Sequence, residues 1–249
     1  MSVNEKMKAI ADAIRDKTKG TEALTLNDMA TEIPKVYEEG YNKATEENPA
    51  YYMWVKGFQW QGQTFPEGFN FVLRLRNKPD DMNAAIMRTT GIKAITLICE
   101  AEGACSFAQL IRESTVEVLD LTKFKPKPNA FSYFAYGANK LVSIYGALDL
   151  SQCTTATLSF GTARSLKDIE FVENSINMSI DFQYSTNLTT ASLTSIINGL
   201  NADVTGQTLT LSKTAVNNAF GIDIDDVWTW TDEWNILRDS KSNWTFSYA

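Results

Sequence analysis

The side chains of this chain that could do chemistry are mainly carboxylates, because its 249 residues include no histidine. This lack removes the most frequent general base and the usual zinc ligand. A Ser-His-Asp or Cys-His device is therefore excluded, and an enzyme would depend on carboxylates, lysine or tyrosine. Asp120 and Asp149, each between two apolar residues, could form an acid/base pair of the kind that glycosidases use. We favour the alternative, in which each aspartate only solubilises the outer face of a strand.

Two further acidic segments suggest sites but have simpler interpretations. The segment 221–226 contains three aspartates, as a calcium loop would. An EF-hand loop needs glycine at its sixth position and glutamate at its twelfth. In a loop that begins at Asp223, these positions are occupied by Trp228 and Trp234. We therefore interpret the segment as a solvated turn. Asp80 and Asp81 could be a carboxylate pair, but a helix cap is the favoured interpretation.

The three cysteines, Cys99, Cys105 and Cys153, do not have the spacing of a metal site. Their number is odd and no CxxC pair occurs. We expect buried thiols in a protein made in a reducing cytosol. With no histidine to support a zinc site, the sequence predicts no metal centre and no cofactor.

Aromatic residues are the best candidates for a ligand-binding surface. Tyr133, Tyr136 and Tyr145 lie close together in the sequence. Flat rings stack on sugar faces and anchor protein interfaces. Phe131 and Phe134 alternate with the first two tyrosines, so some of these rings must belong to the core.

The charge of the chain excludes one class of partner. Its net charge is −7, and no basic stripe is interleaved with aromatic residues, so nucleic acid is not an expected partner. The first 20 residues are charged throughout, which predicts no signal peptide. No apolar run has the length of a membrane span, so we expect no membrane insertion.

A repeat in the middle of the chain predicts its architecture. The apolar anchors Val116, Leu141 and Leu166 are each 25 residues apart, and each is followed three positions later by another apolar residue. A weaker copy begins at Ile92. A fixed period of this length indicates a solenoid, in which each coil buries its apolar face against the next.

The segments on either side of the repeat have other patterns. Residues 1–50 predict two amphipathic helices that form an attachment or oligomerisation segment, and residues 51–249 predict the solenoid with caps at 51–90 and 188–249. The candidate oligomerisation residues are the apolar stripes of the two helices: Met7, Ile10, Ile14, Leu26, Met29 and Ile33. Short helices need a packing partner, so we expect a homo-oligomer. The alternative is that the helices fold back onto the aromatic segment 51–69.

The repeat resembles leucine-rich repeats of the BspA-like kind. The resemblance rests on the Leu-x-x-Ile strands and on the coil 134–141, which has an aromatic-led turn and small residues before Leu141. It covers about 90 residues, and asparagine is missing from most of the expected inner positions. The expected fold is therefore α+β: a leucine-rich-repeat-like β-solenoid with an N-terminal helical segment and a mixed C-terminal cap.

The two ends of the chain resemble proteins of phage tails. The segments 10–18 and 24–30 are similar to the N-termini of tail and baseplate-associated proteins of phages and prophages of Gram-positive bacteria. The segments 193–200 and 206–211 are similar to the ends of repeat proteins from the same setting. The resemblance implies a virion protein of the tail, synthesised in the host cytoplasm.

Together these patterns predict a non-enzymatic phage tail or baseplate protein that binds the host surface, through either a glycan or a protein. Its helices at residues 1–50 would contact other virion proteins. The alternatives are a purely structural virion scaffold subunit and a carboxylate-dependent tail glycosidase.

Overall fold

A computed structural model of the chain describes residues 50–55, 59–75, 77–79 and 81–249. The chain divides into two compact units, Met1–Tyr51 and Tyr52–Ala249. The expected helices at residues 1–50 and the six candidate oligomerisation residues, Met7, Ile10, Ile14, Leu26, Met29 and Ile33, lie outside the described residues. Among the described residues, no helix is long and apolar enough to cross a membrane.

The described part consists of strands, with short helices placed between the last of them. The strands are β1 Ala50–Val55, β2 Thr64–Leu75, β3 Thr90–Cys99, β4 Ala104–Ser106, β5 Val118–Phe124, β6 Lys127–Ala130, β7 Ser143–Tyr145, β8 Ile180–Phe182, β9 Thr208–Leu211 and β10 Thr245–Tyr248. The helices are α1 Thr190–Gly199, α2 Lys213–Phe220 and α3 Asp232–Asp239, with a 3-10 turn at Val227–Thr229.

The repeat forms a β-solenoid, as its period predicts. The main sheet has the strand order β1-β2-β3-β5-β7, and Leu119 of β5 lies opposite Ile95 on one side and Ile144 on the other. The anchors Leu141 and Leu166 are fully buried. Each coil thus contributes the same inward positions, and the apolar face of each coil is buried against the next.

Each coil also turns through residues in the left-handed backbone conformation. Ala84, Gln109, Tyr133 and Leu158 have φ between 49° and 57°, and their spacing of 25, 24 and 25 residues follows the coils. The amide of Tyr133 donates a hydrogen bond of 2.9 Å to the carbonyl of Thr157 in the following coil. These bonds between coils offset a backbone conformation that is costly for any residue except glycine.

Phenylalanine rings fill the core beneath these turns. Phe131 and Phe134 are stacked with centroids 4.4 Å apart, and Phe160 and Phe182 are stacked at 4.5 Å. All four rings are fully buried. The column crosses several coils, so aromatic packing contributes to their stacking.

Helix α1 covers the end of the main sheet. The amide of Ile169 donates to Ser192 Oγ at 3.0 Å, and the amide of Phe171 donates to Ser195 Oγ at 2.9 Å. Ser192 Oγ in turn donates to the carbonyl of Lys167 at 2.8 Å. The serines of α1 therefore form the hydrogen bonds that another strand would have made.

The remaining C-terminal residues form a second parallel sheet, of order β10-β9-β8, together with α2 and α3. The buried Lys241 joins this segment to α1, because its Nζ donates to the carbonyls of Asn198 and Leu200 and to Asn174 Oδ1. The mixture of helices and strands expected at the C-terminal end is confirmed. Thr231 caps the start of α3, since its Oγ1 accepts from the amide of Trp234.

Candidate functional site

The structure separates the three candidate tyrosines into two places. Tyr133 and Tyr136 lie on the turn side of one coil, with ring centroids 5.8 Å apart. Tyr145 lies at the end of β7 in the main sheet. It lines a groove that neither of the other two tyrosines reaches. Their closeness in sequence therefore does not make them one site.

The groove beside Tyr145, which we call the sheet-face groove, has a volume of about 430 Å³. One wall is the sheet at β7 and the neighbouring bridge between Ser143 and Asp168, and the other is the first half of α1. Its lining includes hydroxyl, carboxylate and aromatic side chains: Thr122, Tyr145, Asp168, Glu170, Thr189, Ser192 and Ser195.

Tyr145 is held at the groove by the strand that carries it. Ile144 points into the core, so the alternation of the strand turns Tyr145 outward. The tyrosine is 48% exposed and lies opposite Asp120 of β5. Its side chain is therefore half-exposed on the surface of the sheet, where a flat ligand could stack on the ring.

A glycine keeps the coils close together at this point. Gly146 has φ of 92°, and a Cβ at this position would lie 2.7 Å from the backbone carbon of Leu121 and 2.8 Å from the nitrogen of Thr122. Only glycine therefore fits directly after Tyr145 without displacing the neighbouring coil.

The two carboxylates of the groove have different surroundings. Asp168 is half-buried, and its Oδ2 accepts a hydrogen bond of 2.9 Å from Ser143 Oγ. Glu170 is exposed, and its carboxylate makes no hydrogen bond or ion pair with any other residue that the structure describes. Asp168 is thus fixed in place, while the carboxylate of Glu170 is open to a ligand.

Asp120 and Asp149 occupy different positions in their coils. Asp120 Oδ1 accepts from the amide and hydroxyl of Thr122 at 2.9 Å and 2.7 Å. Asp149 Oδ1 accepts from the amide of Ser151 at 3.0 Å, and its other oxygen lies 2.6 Å from Lys127 Nζ. Each aspartate thus accepts from the residue two positions later, Asp120 within β5 and Asp149 where the chain enters a turn. The expectation that each lies on the outer face of a strand is wrong for Asp149, which lies outside the strands, whereas Asp120 lies in β5 opposite Tyr145.

The pKa of Asp149 reflects this structural role. Partial burial raises the pKa of its carboxyl, but the hydrogen bonds from Lys127 and Ser151 outweigh burial and lower it overall. The carboxylate is therefore held in its charged form, which suits an ion pair and not a general acid.

Tyr133 and Tyr136 belong to a second group, which we call the turn-face cluster. The guanidinium carbon of Arg112 lies 5.5 Å and 5.6 Å from the two ring centroids, a cation–π distance. Tyr136 also covers Gly161, where a Cβ would approach its ring to 2.7 Å. Both rings are half-buried, so this cluster joins neighbouring coils as much as it offers a surface.

An ion-pair network extends the turn-face cluster along the solenoid. Glu113 accepts from Arg88 Nε at 2.7 Å and from Arg112 Nε at 3.0 Å. The hydrogen bond from Arg88, together with the one from Arg112, lowers the pKa of the Glu113 carboxyl. The network crosses two neighbouring coils, as the spacing of 25 residues between Arg88 and Glu113 requires.

The sequence reasoning missed an exposed tryptophan at the C-terminal end. Trp228 is 93% exposed. It lies on a hydrogen-bonded turn. Its amide donates to Asp226 Oδ1 at 3.1 Å, and Thr229 Oγ1 accepts from the amide of Asp223 and donates to the carbonyl of Asp226, both at 2.7 Å. Large exposed apolar residues on rigid turns are common at interfaces. Sequence alone gave no reason to expect this tryptophan outside the core.

The acidic segment around this tryptophan is a turn, as expected. Asp223 Oδ1 accepts from the amide of Asp225, and Lys213 pairs with Asp225 at 2.8 Å. Among the described residues, no group of three or more metal-ligating side chains occurs. Asp81 likewise accepts from the amide of Asn83, but it begins a turn segment and not the helix that was expected.

The cysteines are buried free thiols, as the sequence predicts. Burial raises the pKa of both Cys105 and Cys153 to about 12. Neither thiol therefore forms a thiolate near neutral pH, so neither is suited to nucleophilic chemistry.

The chain matches no protein-family model, no curated protein and no solved structure closely enough to assign it to a family. The expected relationship to phage tail proteins and to BspA-like repeats therefore stays a prediction, and the functional argument depends on the geometry of the groove.

Proposed function

We propose that this chain is a non-enzymatic virion protein of a phage tail or baseplate, which binds a saccharide of the host-cell surface in its sheet-face groove. The observation that carries the binding role is the half-exposed Tyr145 on the wall of that groove. The virion setting is supported by the resemblance at the two ends of the sequence. We also propose that the coils of the solenoid are leucine-rich-repeat-like.

The groove has the groups that saccharide recognition needs. A sugar presents a flat apolar face that stacks on an aromatic ring, and a rim of hydroxyls that exchange hydrogen bonds. Tyr145 supplies the ring, and the carboxylates of Asp168 and Glu170 supply acceptors. The hydrogen bond from Ser143 holds the carboxylate of Asp168 in place before binding, which lowers the entropic cost of association.

The test is an array of bacterial cell-wall saccharides, probed with the wild-type chain and two matched variants. Tyr145→Ala removes the ring from the groove. Tyr184→Ala is the control, because Tyr184 is 39% exposed and lies outside the groove, with the guanidinium of Arg164 at 5.9 Å from its ring. We expect Tyr145→Ala to weaken binding at least about tenfold, equivalent to about 1.4 kcal/mol, and Tyr184→Ala to bind as wild type. Equal binding by all three chains would show that the saccharide does not bind in the sheet-face groove.

The alternative of a purely structural virion subunit is favoured by one observation, the exposed Trp228. An indole on a rigid turn is suited to insertion into a neighbouring protein. If the scaffold role is the whole function, Trp228→Ser prevents incorporation into particles and no saccharide on the array binds. A tail glycosidase predicts release of reducing ends from cell-wall polysaccharide, and our proposal predicts none.

A further inference from the structure

The charge of the sheet-face groove restricts the kind of saccharide that it accepts. Its lining includes two carboxylates, from Asp168 and Glu170, and no lysine or arginine among the described residues. A third carboxylate, that of Asp120, lies on β5 opposite Tyr145. The groove is therefore negatively charged close to its aromatic ring.

This imbalance is not a general property of the cavities of this chain. A cavity of about 490 Å³ near the start of the solenoid has two lysines, Lys93 and Lys140, and two glutamates, Glu67 and Glu117. The smaller cavity beside Phe124 has Lys125 and Lys127 together with a single aspartate. The charge of the sheet-face groove thus differs from that of these two cavities. A further cavity of about 370 Å³ has one carboxylate, that of Asp181, and likewise no lysine or arginine among its described lining residues, so the sheet-face groove is distinguished by its two carboxylates beside an aromatic ring.

One feature of the groove acts in the opposite direction. The first turn of α1 borders it through Thr189, Ala191 and Ser192, and a helix N-terminus favours anions with an effective charge of about +0.5. Two full carboxylates outweigh this partial charge. In addition, the hydroxyl of Thr189 already accepts a hydrogen bond from the amide of Ser192, so the end of the helix is capped.

The position of the charge points to a cation at the ring. An ammonium group is attracted both to the face of an aromatic ring and to a nearby carboxylate. Tyr145 and Glu170 line the same groove, and the carboxylate of Glu170 has no other described partner. A neutral sugar would use the ring and would donate hydroxyl hydrogen bonds to the carboxylates, but it would leave their negative charge without a counter-charge.

We infer that the sheet-face groove selects saccharides that carry a free primary amine over neutral saccharides of the same backbone. The ammonium group lies near Tyr145 and pairs with Glu170, while the sugar ring stacks on the tyrosine. This inference rests on the proposed function, because it names the ligand class of the same groove.

The test compares two probes with the same sugar backbone, the hexasaccharide of glucosamine, whose amines are free, and the hexasaccharide of N-acetylglucosamine, whose amines are acetylated and uncharged. Binding to the full chain is measured by calorimetry at about pH 6, where the amine is protonated. We expect the glucosamine hexamer to bind at least tenfold more tightly. The preference should shrink as salt rises from about 0.05 M to 0.5 M, because screening weakens exposed charge pairs.

Two variants assign the preference to the groove. Glu170→Gln should remove the preference, because the amide keeps an acceptor oxygen for sugar hydroxyls and loses the charge that pairs with the ammonium group. The variant should fold as wild type, since Glu170 is exposed and makes no described contact that supports the fold. Tyr145→Ala should weaken the binding of both hexamers. Thermal unfolding of each variant confirms that it is folded.

The outcomes separate the two proposals. Equal binding of the two hexamers, or tighter binding of the N-acetylated one, overturns the inference and leaves saccharide binding intact. A preference that persists in Glu170→Gln overturns the assignment to this carboxylate. No binding of either hexamer overturns the inference, and binding of other saccharides on the array then decides whether the proposed function stands.

Discussion

The serine hydroxyls of α1 should contribute measurable stability, because they satisfy amides at the end of the main sheet. Ser192 is buried, and its Oγ accepts from the amide of Ile169 and donates to the carbonyl of Lys167. In Ser192→Ala both backbone groups lose this partner, in a place where water has little access. The side chain changes by a single oxygen atom, so packing is almost unaffected.

The expected magnitude follows from two opposing effects. A buried donor left without a partner costs about 1–3 kcal/mol. Alanine is the better helix former, and this gain offsets up to about 0.5 kcal/mol. We therefore expect Ser192→Ala to lower the free energy of unfolding by about 0.5–2.5 kcal/mol. Ser195→Ala should cost less, because Ser195 is half-buried and water can replace its hydroxyl.

Denaturant unfolding combined with amide hydrogen exchange checks this reasoning. Thr194→Ala is the matched control, because Thr194 lies on the same helix, is half-buried and makes no side-chain hydrogen bond to another described residue. The amide of Ile169 should exchange faster in Ser192→Ala and remain unchanged in Thr194→Ala. If Ser192→Ala is as stable as wild type and Ile169 keeps its protection, the hydroxyl does not act as the missing strand, and the account of this cap is wrong.

Three further predictions concern other parts of the chain. Leu141→Ala and Leu166→Ala should each lower the free energy of unfolding by about 2–5 kcal/mol, through lost burial and a cavity; a cost below 1 kcal/mol in urea titrations would contradict the packing of the coils. Glu113→Gln should destabilise the chain at pH 7 by at most about 1 kcal/mol, since its ion pairs are partly exposed. The lowered pKa of Glu113 stabilises the fold above the unfolded value of 4.5, so the difference between the two chains should decrease as the pH falls below 4.5 and the carboxyl becomes protonated. Deleting residues 1–48 should convert an oligomer to a monomer in light scattering; a monomeric full-length chain would remove the assembly role of those residues.

The solenoid could be predicted because the burial of its coils leaves a direct trace in the sequence. The inward position that Leu141 and Leu166 occupy must be apolar in every coil, so the spacing of these two residues shows the period. The left-handed turns leave no such trace, because Gln109 and Tyr133 are not glycines. Hydrogen bonds from the next coil fix their conformation, and such bonds cannot be read from local sequence.

The site was predicted only in part, for a related reason. Tyr133 and Tyr145 are 12 residues apart, which in a coil of this length is enough to pass from the turn side to the sheet side. The carboxylates of the groove belong to the next coil, and α1 belongs to the cap. A groove assembled from three parts of the chain has no local motif.

The serine-capped end of the main sheet also limits how this chain can change in length. A duplicated coil inserted within the repeat, such as one between Phe107 and Phe131, would meet coils like itself on both sides. A coil added after Ile169 would instead meet α1, whose hydroxyls match amides and offer no ladder of backbone groups to another strand. We therefore expect duplicated coils to be tolerated within the repeat and not at the end of the main sheet that α1 covers. The same geometry closes the edge to strands from other chains, so the solenoid should not extend into a fibre in this direction.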